Sequence, residues 1–334
     1  MNWSKGFEAS YYITTVDAVT WRDVEKKRIK SGSVSITNSD LRETAELTTV
    51  DYNPTVEQWI RIWLDARQGE NIEHVPLFTG LALNPKTNYE GKYAEYPLEC
   101  YSVLQPAKDI WLQRGWYAPV GVKGGTIIKQ LLSVTPAPII IEGETPELKN
   151  SIIAEDGETR LSMVEKILLA INWRIRISGN GEIHVMDLPT EPVAKIGGDN
   201  DIIEKSLEIE SDFYECPNVF MAVDDDVSGI ARDDSEKSIY STKTRGREIW
   251  NGEINCDLKE NETVAEYALR RLKELQSTSI RMNYKRRFLP NVRTGDMIYI
   301  HYPAQNIDGE FIVKNQSFSL QYGAEVNEEV NEHK

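Results

Sequence analysis

The stretch Trp173-Arg-Ile-Arg-Ile-Ser-Gly-Asn-Gly-Glu-Ile-His-Val185 carries the clearest structural signal in this 334-residue chain. Apolar and polar residues alternate over 173–177 and again over 183–185, which is the period of a strand with one buried face. Between these runs lies Ser178-Gly-Asn-Gly181, and Asn-Gly in such a position strongly favours a tight turn between antiparallel strands. The stretch therefore predicts a β-hairpin.

Helices are predicted on the N-terminal side of the hairpin. Residues 156–159 open a helix whose apolar residues fall at helical spacing, namely Leu161, Val164, Ile167, Leu168 and Ile171. Further upstream, Gly124-Gly125-Thr126 opens a shorter apolar helix that ends before Pro136. Together with the hairpin, these elements predict a compact α+β insert over residues 105–200, with a helix packed on a small sheet.

The residues before the insert predict strands. Ser33-Val-Ser-Ile36 and Thr44-Ala-Glu-Leu47 alternate with period two. Two longer strand-like runs, over 77–83 and 93–104, are separated by residues typical of turns. Residues 1–104 therefore predict a first strand-rich domain.

Residues 55–66 are compatible with two structures. Asn53-Pro54 would begin a helix well, and Trp59, Ile60 and Trp63 lie on one helical face. The same residues also alternate as a strand does, and they are rich in β-branched and aromatic side chains. The neighbouring strands favour a strand here, with a helix as the alternative.

The strand pattern returns after the insert and predicts a second strand-rich domain over 201–324. Its clearest element is a helix over 262–276, with Asn261 as the predicted cap. Three strands are predicted after this helix, over 280–288, 296–302 and 310–322. The last residues, 325–334, are acidic and predict a frayed C-terminal tail.

The overall charge limits the classes of function. The chain has 53 acidic and 38 basic residues, a net charge of −15. Such a surface argues against binding nucleic-acid phosphates or anionic lipid over a broad face, although nucleic acid could pass close to it. No apolar run reaches membrane-spanning length, and the N-terminus lacks a signal-peptide pattern. Synthesis in the cytoplasm without membrane insertion is expected.

No set of catalytic, cofactor-binding or metal-binding residues emerges from the sequence, and the chain is not predicted to be an enzyme. Cys100, Cys216 and Cys256 are widely spaced and predict buried thiols rather than disulfides or a zinc site. The glycine-rich run over 121–126 lacks the ending of a phosphate-binding loop and is interpreted as a helix start. The acidic runs at 224–226 and 233–234 lack the ligand spacing of a calcium loop.

Two groups of polar residues contain side-chain types that catalytic sites use. Cys256 precedes the predicted helix and His301 lies on a later strand, as in some cysteine hydrolases, but no basic neighbour lowers the pKa of this thiol. On the hairpin, His184 shares a face with Glu182, and the facing strand carries Arg174 and Arg176. This second group predicts a solvated charge cluster.

Short strand-like stretches follow one another along the chain in a recognisable order. They are Ser31-Gly-Ser-Val-Ser-Ile-Thr37, residues 43–50, Ile60-Arg-Ile-Trp-Leu64, Pro76-Leu-Phe-Thr-Gly80, Leu98-Glu-Cys-Tyr-Ser102, Gly295-Asp-Met-Ile-Tyr-Ile300, Gly309-Glu-Phe-Ile-Val313 and Ser317-Phe-Ser-Leu320. With the helix upstream of the last three, they resemble the tail hub family of phages and contractile injection systems. This family includes baseplate hubs of contractile phages, the late control protein D group, the hub-like N-terminal part of VgrG spikes, and tail hubs of phages and phage-tail-like particles of Gram-positive hosts.

The resemblance implies a mostly β fold, with two tube-like β-barrel domains and a small α+β domain between them. It implies a structural baseplate or tail hub protein, a homotrimer that joins the six-fold tail tube to a three-fold spike or tip and forms a channel. The implied partners are the tail tube or distal tail protein, the spike or tip protein, the tape-measure protein and other baseplate proteins, with DNA only in transit. The implied location is the virion tail or baseplate, or a tail-like particle.

Two other functions stay open at this level. One is a tail-associated cell-wall endopeptidase, a lysin, that uses Cys256 and His301. The other is a cell-wall carbohydrate-binding tail-tip module, which would use exposed aromatic side chains such as Trp59, Trp63, Trp111 and Trp116. Many proteins of the resembled family carry a further lysin or receptor-binding region. Here, such activities are expected to belong to another protein of the particle.

Overall fold

The computed structural model describes residues 1–38, 41–197, 201–203, 207–211, 213–214, 216–254, 256, 258, 262–277, 280–321 and 324–333. The strands are β1 (Glu8–Val16), β2 (Asp23–Thr37), β3 (Arg42–Thr49), β4 (Gln58–Gln68), β5 (Asn71–Leu83), β6 (Asn88–Glu90), β7 (Tyr93–Ser102), β8 (Tyr117–Ala118), β9 (Ile139–Ile141), β10 (Ile152–Ile153), β11 (Trp173–Ile177), β12 (Ile183–Asp187), β13 (Ala194–Gly197), β14 (Glu208–Ser211), β15 (Val219–Asp224), β16 (Val227–Arg232), β17 (Trp250–Ile254), β18 (Ile280–Arg287), β19 (Met297–Tyr302), β20 (Ile307–Ser319) and β21 (Glu325–His333). The helices are α1 (Gln105–Asp109), α2 (Gly124–Leu132), α3 (Arg160–Ile171), α4 (Thr242–Arg245) and α5 (Val264–Ser277), with a 3-10 turn at Pro303–Gln305. The prediction of a mostly β protein is confirmed.

Six strands of the N-terminal region pair in a closed circuit. Their order is β1–β4–β5–β7–β3–β2, and β2 pairs again with β1, so that every neighbour is antiparallel. Alternate side chains point inwards, and Ile13, Ile62 and Leu64 are completely buried there. The interior of the circuit is therefore a packed apolar core and not a passage.

β2 connects this circuit to the C-terminal strands. Its second half pairs with β3 on one side and with β20 on the other, from Ser33 opposite Ser319 to Thr37 opposite Asn315. From β20 the sheet continues through β21, β18 and β14, while β19 and β13 branch from β20. Among the described residues, the two strand-rich regions thus share one 13-stranded sheet.

The C-terminal strands have a core of their own, and it contains a buried ion pair. Arg286 and Glu328 are 1% and 3% exposed. Arg286 Nε and Nη2 donate to the two carboxylate oxygens of Glu328 at 2.8 and 2.7 Å. The Tyr284 hydroxyl and Gln316 Nε2 donate to the same carboxylate. Since water reaches neither charge, each one depends on its protein partners.

The hairpin and helices predicted for the insert are present. β11 and β12 form the hairpin, and β9 joins β12 in parallel. α2 and α3 pack over this small sheet in a core that includes Ile128, Val164 and Ile183. Thr159 caps α3, because its hydroxyl accepts from the Ser162 amide while the Ser162 hydroxyl accepts from the Thr159 amide.

The helix predicted over 262–276 is α5, and it packs mainly on a separate small sheet. β15 in this sheet pairs antiparallel with β16 and parallel with β17. Phe220, Ala222 and Ala268 are buried between the sheet and α5, so this α/β lobe has its own core. Thr263 caps the helix, because its hydroxyl accepts from the Glu266 amide while its own amide donates to the Glu266 carboxylate. The predicted cap Asn261 lies outside the described residues.

Two other expectations have clear outcomes. Residues 58–68 form the strand β4, which agrees with the preferred structure for 55–66. The frayed tail expected over 325–334 is wrong, because 325–333 form β21 between β20 and β18. Val326, Glu328 and Val330 alternate into the interior, a period-two pattern that the acidic composition obscured. In the described part of the chain, no helix combines the length and apolarity needed to span a bilayer.

Candidate functional site

The shared sheet has an outer face built from small polar residues. Where β2 meets β20, Ser33 lies opposite Ser319, and Ser35 lies opposite Ser317. The intervening Val34 is buried in the core, so the serines point outwards. The same side continues over neighbouring strands, and we define the polar face as Ser31, Ser33, Ser35 and Thr37 of β2, Thr44, Glu46 and Thr48 of β3, Asn315, Ser317 and Ser319 of β20, and Glu325, Asn327 and Glu329 of β21.

The polar face is uncharged at its centre, on β2 and β20, and has charged residues of both signs towards its edges. The charged residues named above are glutamates, on β3 and β21. Glu46 lies directly opposite Glu99 of β7, and Lys86 Nζ donates to Glu99 Oε1 at 2.8 Å. Arg42 of β3 lies opposite Thr37 and on the same side of the sheet, and on β18 Lys285 and Arg287 lie opposite Asn327 and Glu325. The centre of the face, on β2 and β20, presents only hydroxyls and one amide, which attract phosphate groups weakly.

The turn of the insert hairpin docks into the closed circuit of strands. Thr79 of β5 donates its hydroxyl hydrogen to the carbonyl oxygen of Gly179 at 2.7 Å. Arg61 of β4 and the Trp21 indole donate to the carbonyl oxygen of Asn180, at 3.0 and 2.9 Å respectively. Thr79 and Arg61 are both buried. The turn that was predicted only as a chain reversal is therefore also the attachment point of the insert.

Glycine is required at this turn for lack of space. A Cβ atom at Gly179 would lie 1.9 Å from the Pro76 carbonyl oxygen, and one at Gly181 would lie 2.8 Å from Thr79 Cβ. Gly181 also has a φ of +77°, which other residues rarely adopt. The glycines thus allow the backbone of the turn to contact the backbone of β5.

A second contact anchors the insert to the C-terminal strands. Arg174 Nη2 and Arg176 Nε donate to Asp296 Oδ1 at 3.0 and 3.2 Å, and this aspartate is 1% exposed. The prediction of a solvated cluster with His184 is wrong for these arginines, because Asp296 covers them. His184 instead contacts Glu142 at 2.6 Å, with Glu182 at 3.7 Å. The alternation of polar residues along β11 indicated an exposed strand face. In the fold, Arg174 and Arg176 on that face contact the buried carboxylate of Asp296.

The two residues of the hydrolase alternative each have another partner. Cys256 is buried in the core of the α/β lobe, where its thiol donates to the Val223 carbonyl oxygen at 3.3 Å. Burial raises the pKa of this thiol, which disfavours the nucleophilic thiolate. His301 lies on β19 with Nδ1 2.9 Å from Asp308 Oδ1. The structure does not assemble a Cys–His pair from these residues.

The tryptophans of the carbohydrate-binding alternative do not form one surface. Trp59 is buried and packs edge-on against Trp21. Trp63 stacks on Tyr12 of the neighbouring strand. Trp116 packs against the core of the insert, and Trp111 is 71% exposed. Three of these four rings are thus used in packing.

The other candidate motifs have structural roles. Gly124 and Gly125 allow α2 to approach Ile171 and Thr145 closely, in agreement with the interpretation of a helix start. The three cysteines are buried thiols, as predicted. Over the residues that the structure describes, no three His, Cys, Asp or Glu side chains come together as a metal site would require.

No protein-family model and no curated protein sequence matches this chain. Its fold is shared with solved structures. A tail protein from Neisseria meningitidis MC58 superimposes with a TM-score of 0.69 at 13% identity, over 97% of this chain and 96% of that one. The 43 kDa tail protein of prophage MuSo2 from Shewanella oneidensis gives 0.68 at 11% identity, over 96% and 98%. A component of the E. coli type VI secretion system, described as similar to the T4 tail proteins gp27 and gp5, gives 0.52 at 8% identity, over 92% and 74%. The chain has the fold of phage tail proteins, and at that level the resemblance seen in the sequence is confirmed.

Proposed function

We propose that this chain is a structural hub of a phage tail or baseplate, a trimeric adaptor between a six-fold tail tube and a three-fold spike or tip. The observation that carries the proposal is the polar face, because it runs without interruption from one strand-rich region to the other. The shared fold with phage tail proteins supports it. A fold alone does not determine a function, and the chemistry of this face adds an independent argument.

The packing of the strands supports a channel between chains and not within one. The closed circuit of six strands is filled by apolar side chains such as Ile13, Ile62 and Leu64. A passage must therefore be lined by outer surfaces, and the polar face has the chemistry that a passage for DNA needs. Its two central strands, β2 and β20, present only small hydroxyls and one amide there, which leave the surface smooth and attract phosphate weakly.

The number of strand-rich regions supports the symmetry. Three chains with two tube-like units each would present six units to the tail tube and a three-fold arrangement to the spike. Such a ring closes head to tail, so that its growth ends at three copies. The partners in this proposal are a tail tube or distal tail protein, a spike or tip protein, the tape-measure protein and other baseplate proteins, in a virion tail or tail-like particle made in the host cytoplasm.

The trimer is tested by measuring mass. Light scattering after size-exclusion chromatography is expected to give three times the mass of one chain, either for the protein alone or when it is mixed with its tube protein. Electron microscopy of the particle is expected to show a three-fold ring at the end of the tube. A single copy of the chain in intact particles contradicts the hub assignment.

A substitution within the polar face tests the channel. Ser35→Arg is expected to fold and assemble normally, since Ser35 is exposed, but to lower DNA delivery by the particle about tenfold or more by binding phosphate. Ser35→Glu is the matched control, because it adds a side chain of similar reach and opposite charge. Equal delivery by the two variants at equal particle yield rejects this face as the lining of the channel.

A further inference from the structure

A buried carboxyl group lies where the insert meets both strand-rich regions. Glu43 is on β3, opposite Ile36 of β2, and only 6% of it is exposed. Its neighbours along the inward side of β3, Ala45 and Leu47, belong to the apolar core. Glu43 therefore occupies an inward position where the sheet otherwise places apolar side chains.

A small cavity adjoins this carboxyl group. It measures about 20 Å³, which is room for one water molecule. The closed circuit contributes Ile36 and Glu43 to its wall, the insert contributes Arg176, and the segment before β19 contributes Arg293. The cavity is thus the point at which all three parts of the junction meet.

The positive charges around Glu43 are engaged by other groups. Arg176 binds Asp296 and also donates to the Asn291 carbonyl oxygen at 3.2 Å. Arg293 donates to the carbonyl oxygens of Leu77 and Pro76, at 2.8 and 3.3 Å. Among the described residues, none forms a hydrogen bond with the Glu43 carboxyl group. Both arginines attract a carboxylate here through space, without a direct bond to it.

We propose that Glu43 is a proton-operated latch, which holds the insert more tightly against the shared sheet when its carboxyl group is protonated. The charged groups facing it are Arg174 and Arg176 from β11, and Arg293 and Asp296 from the segment before β19; the wall contributed by β2 is uncharged. Burial raises the pKa of Glu43 to about 7, and the attraction of Arg293 and Arg176 only partly opposes this.

The direction of the pH effect follows from the raised pKa. Below the ordinary carboxyl pKa of 4.5, Glu43 is protonated in both the folded and the unfolded chain, and its contribution to stability is complete. As the pH rises towards 7 and beyond, the unfolded chain loses the proton more readily than the folded one. The contribution is lost over this interval, and a charge must then be held in the cavity.

The test compares Glu43→Gln, which mimics the protonated group, with the wild type at pH 4 and pH 8.5. The variant is expected to melt about 4 °C or more above the wild type at pH 8.5, and within about 1 °C of it at pH 4, where Glu43 is protonated in both the folded and the unfolded chain. Amide hydrogen exchange in the turn 178–181 is expected to slow in the variant at pH 8.5 only. Glu46→Gln removes the same charge from the outer face of the same strand and is expected to show neither effect.

Three results overturn the proposal: a variant less stable than the wild type at both pH values, no difference at either, or the same pattern in Glu46→Gln. If Glu43→Gln does not fold, the ¹³C chemical shift of the Glu43 carboxyl group in the wild type decides. A titration midpoint above about 6 supports the latch, and a midpoint below about 6 overturns it.

Discussion

Gly179→Ala is expected to lower the free energy of unfolding by about 3–5 kcal/mol, near the upper end for a single substitution. The added Cβ would lie 1.9 Å from the carbonyl oxygen of Pro76 and 2.5 Å from its carbonyl carbon. These atoms belong to the backbone of β5 and cannot rotate away. The turn must withdraw, and it then loses the hydrogen bonds from Thr79 and Arg61.

Urea denaturation of the whole chain measures this loss, and limited proteolysis shows whether the insert is released. Gly197→Ala is the control, because the nearest atom to its added Cβ is 3.7 Å away and its φ is not restricted to glycine. The control is expected to change stability by no more than about 0.5 kcal/mol. A Gly179→Ala protein as stable as the control contradicts the docking of the turn.

The second large effect is expected at the buried ion pair. Arg286→Met should cost about 3–5 kcal/mol, because it leaves the Glu328 carboxylate buried without its cation. The double variant Arg286→Met/Glu328→Leu removes both charges and is expected to recover much of the loss. Denaturant titrations of the three proteins measure both quantities. A double variant no more stable than Arg286→Met would show that the pair is not the source of the effect.

The contribution of this ion pair to the stability of the fold depends on pH. Burial alone would raise the pKa of Glu328, but Arg286 and the hydrogen bonds from Gln316 and Tyr284 hold it below the ordinary value. A carboxyl group with a lowered pKa stabilises the fold above its unfolded pKa, and this contribution is lost as the pH falls through the folded pKa. The difference in stability between wild type and Arg286→Met is therefore expected to narrow in acid. A gap that stays constant between pH 7 and pH 3 contradicts the ionised pair.

Local patterns were enough to predict the elements that depend on neighbours in sequence. The hairpin over 173–185 and the helix α3 follow from side-chain periodicity and turn residues, and both are present. β4 was decided by β-branched and aromatic residues against a weaker helical pattern. In each case the deciding interactions lie within about a dozen residues.

The contacts between distant segments could not be predicted in this way. Ser33 pairs with Ser319, and Gly179 meets Pro76, but nothing in either local pattern names the partner. Arg174 and Arg176 alternate with apolar residues, as solvent-exposed residues do. Periodicity shows which side of the strand they are on, but it does not show whether water or a buried aspartate covers that side. One signal was available in advance: Ser33 and Ser35 alternate with buried Val34 and Ile36, and Ser317 and Ser319 alternate with buried Phe318. Together these pairs indicate a polar outer face.

β2 pairs with strands of both strand-rich regions, and this has a mechanical consequence. Rotating one strand-rich region against the other would break the backbone hydrogen bonds that pair β2 with β20 from Ser33 to Thr37. The hairpin turn at Gly179 and the contacts of Asp296 brace the same junction from the insert. Each chain is therefore expected to transmit a force applied at one end as a rigid body. Opening or closing of an assembly must then occur at the contacts between chains.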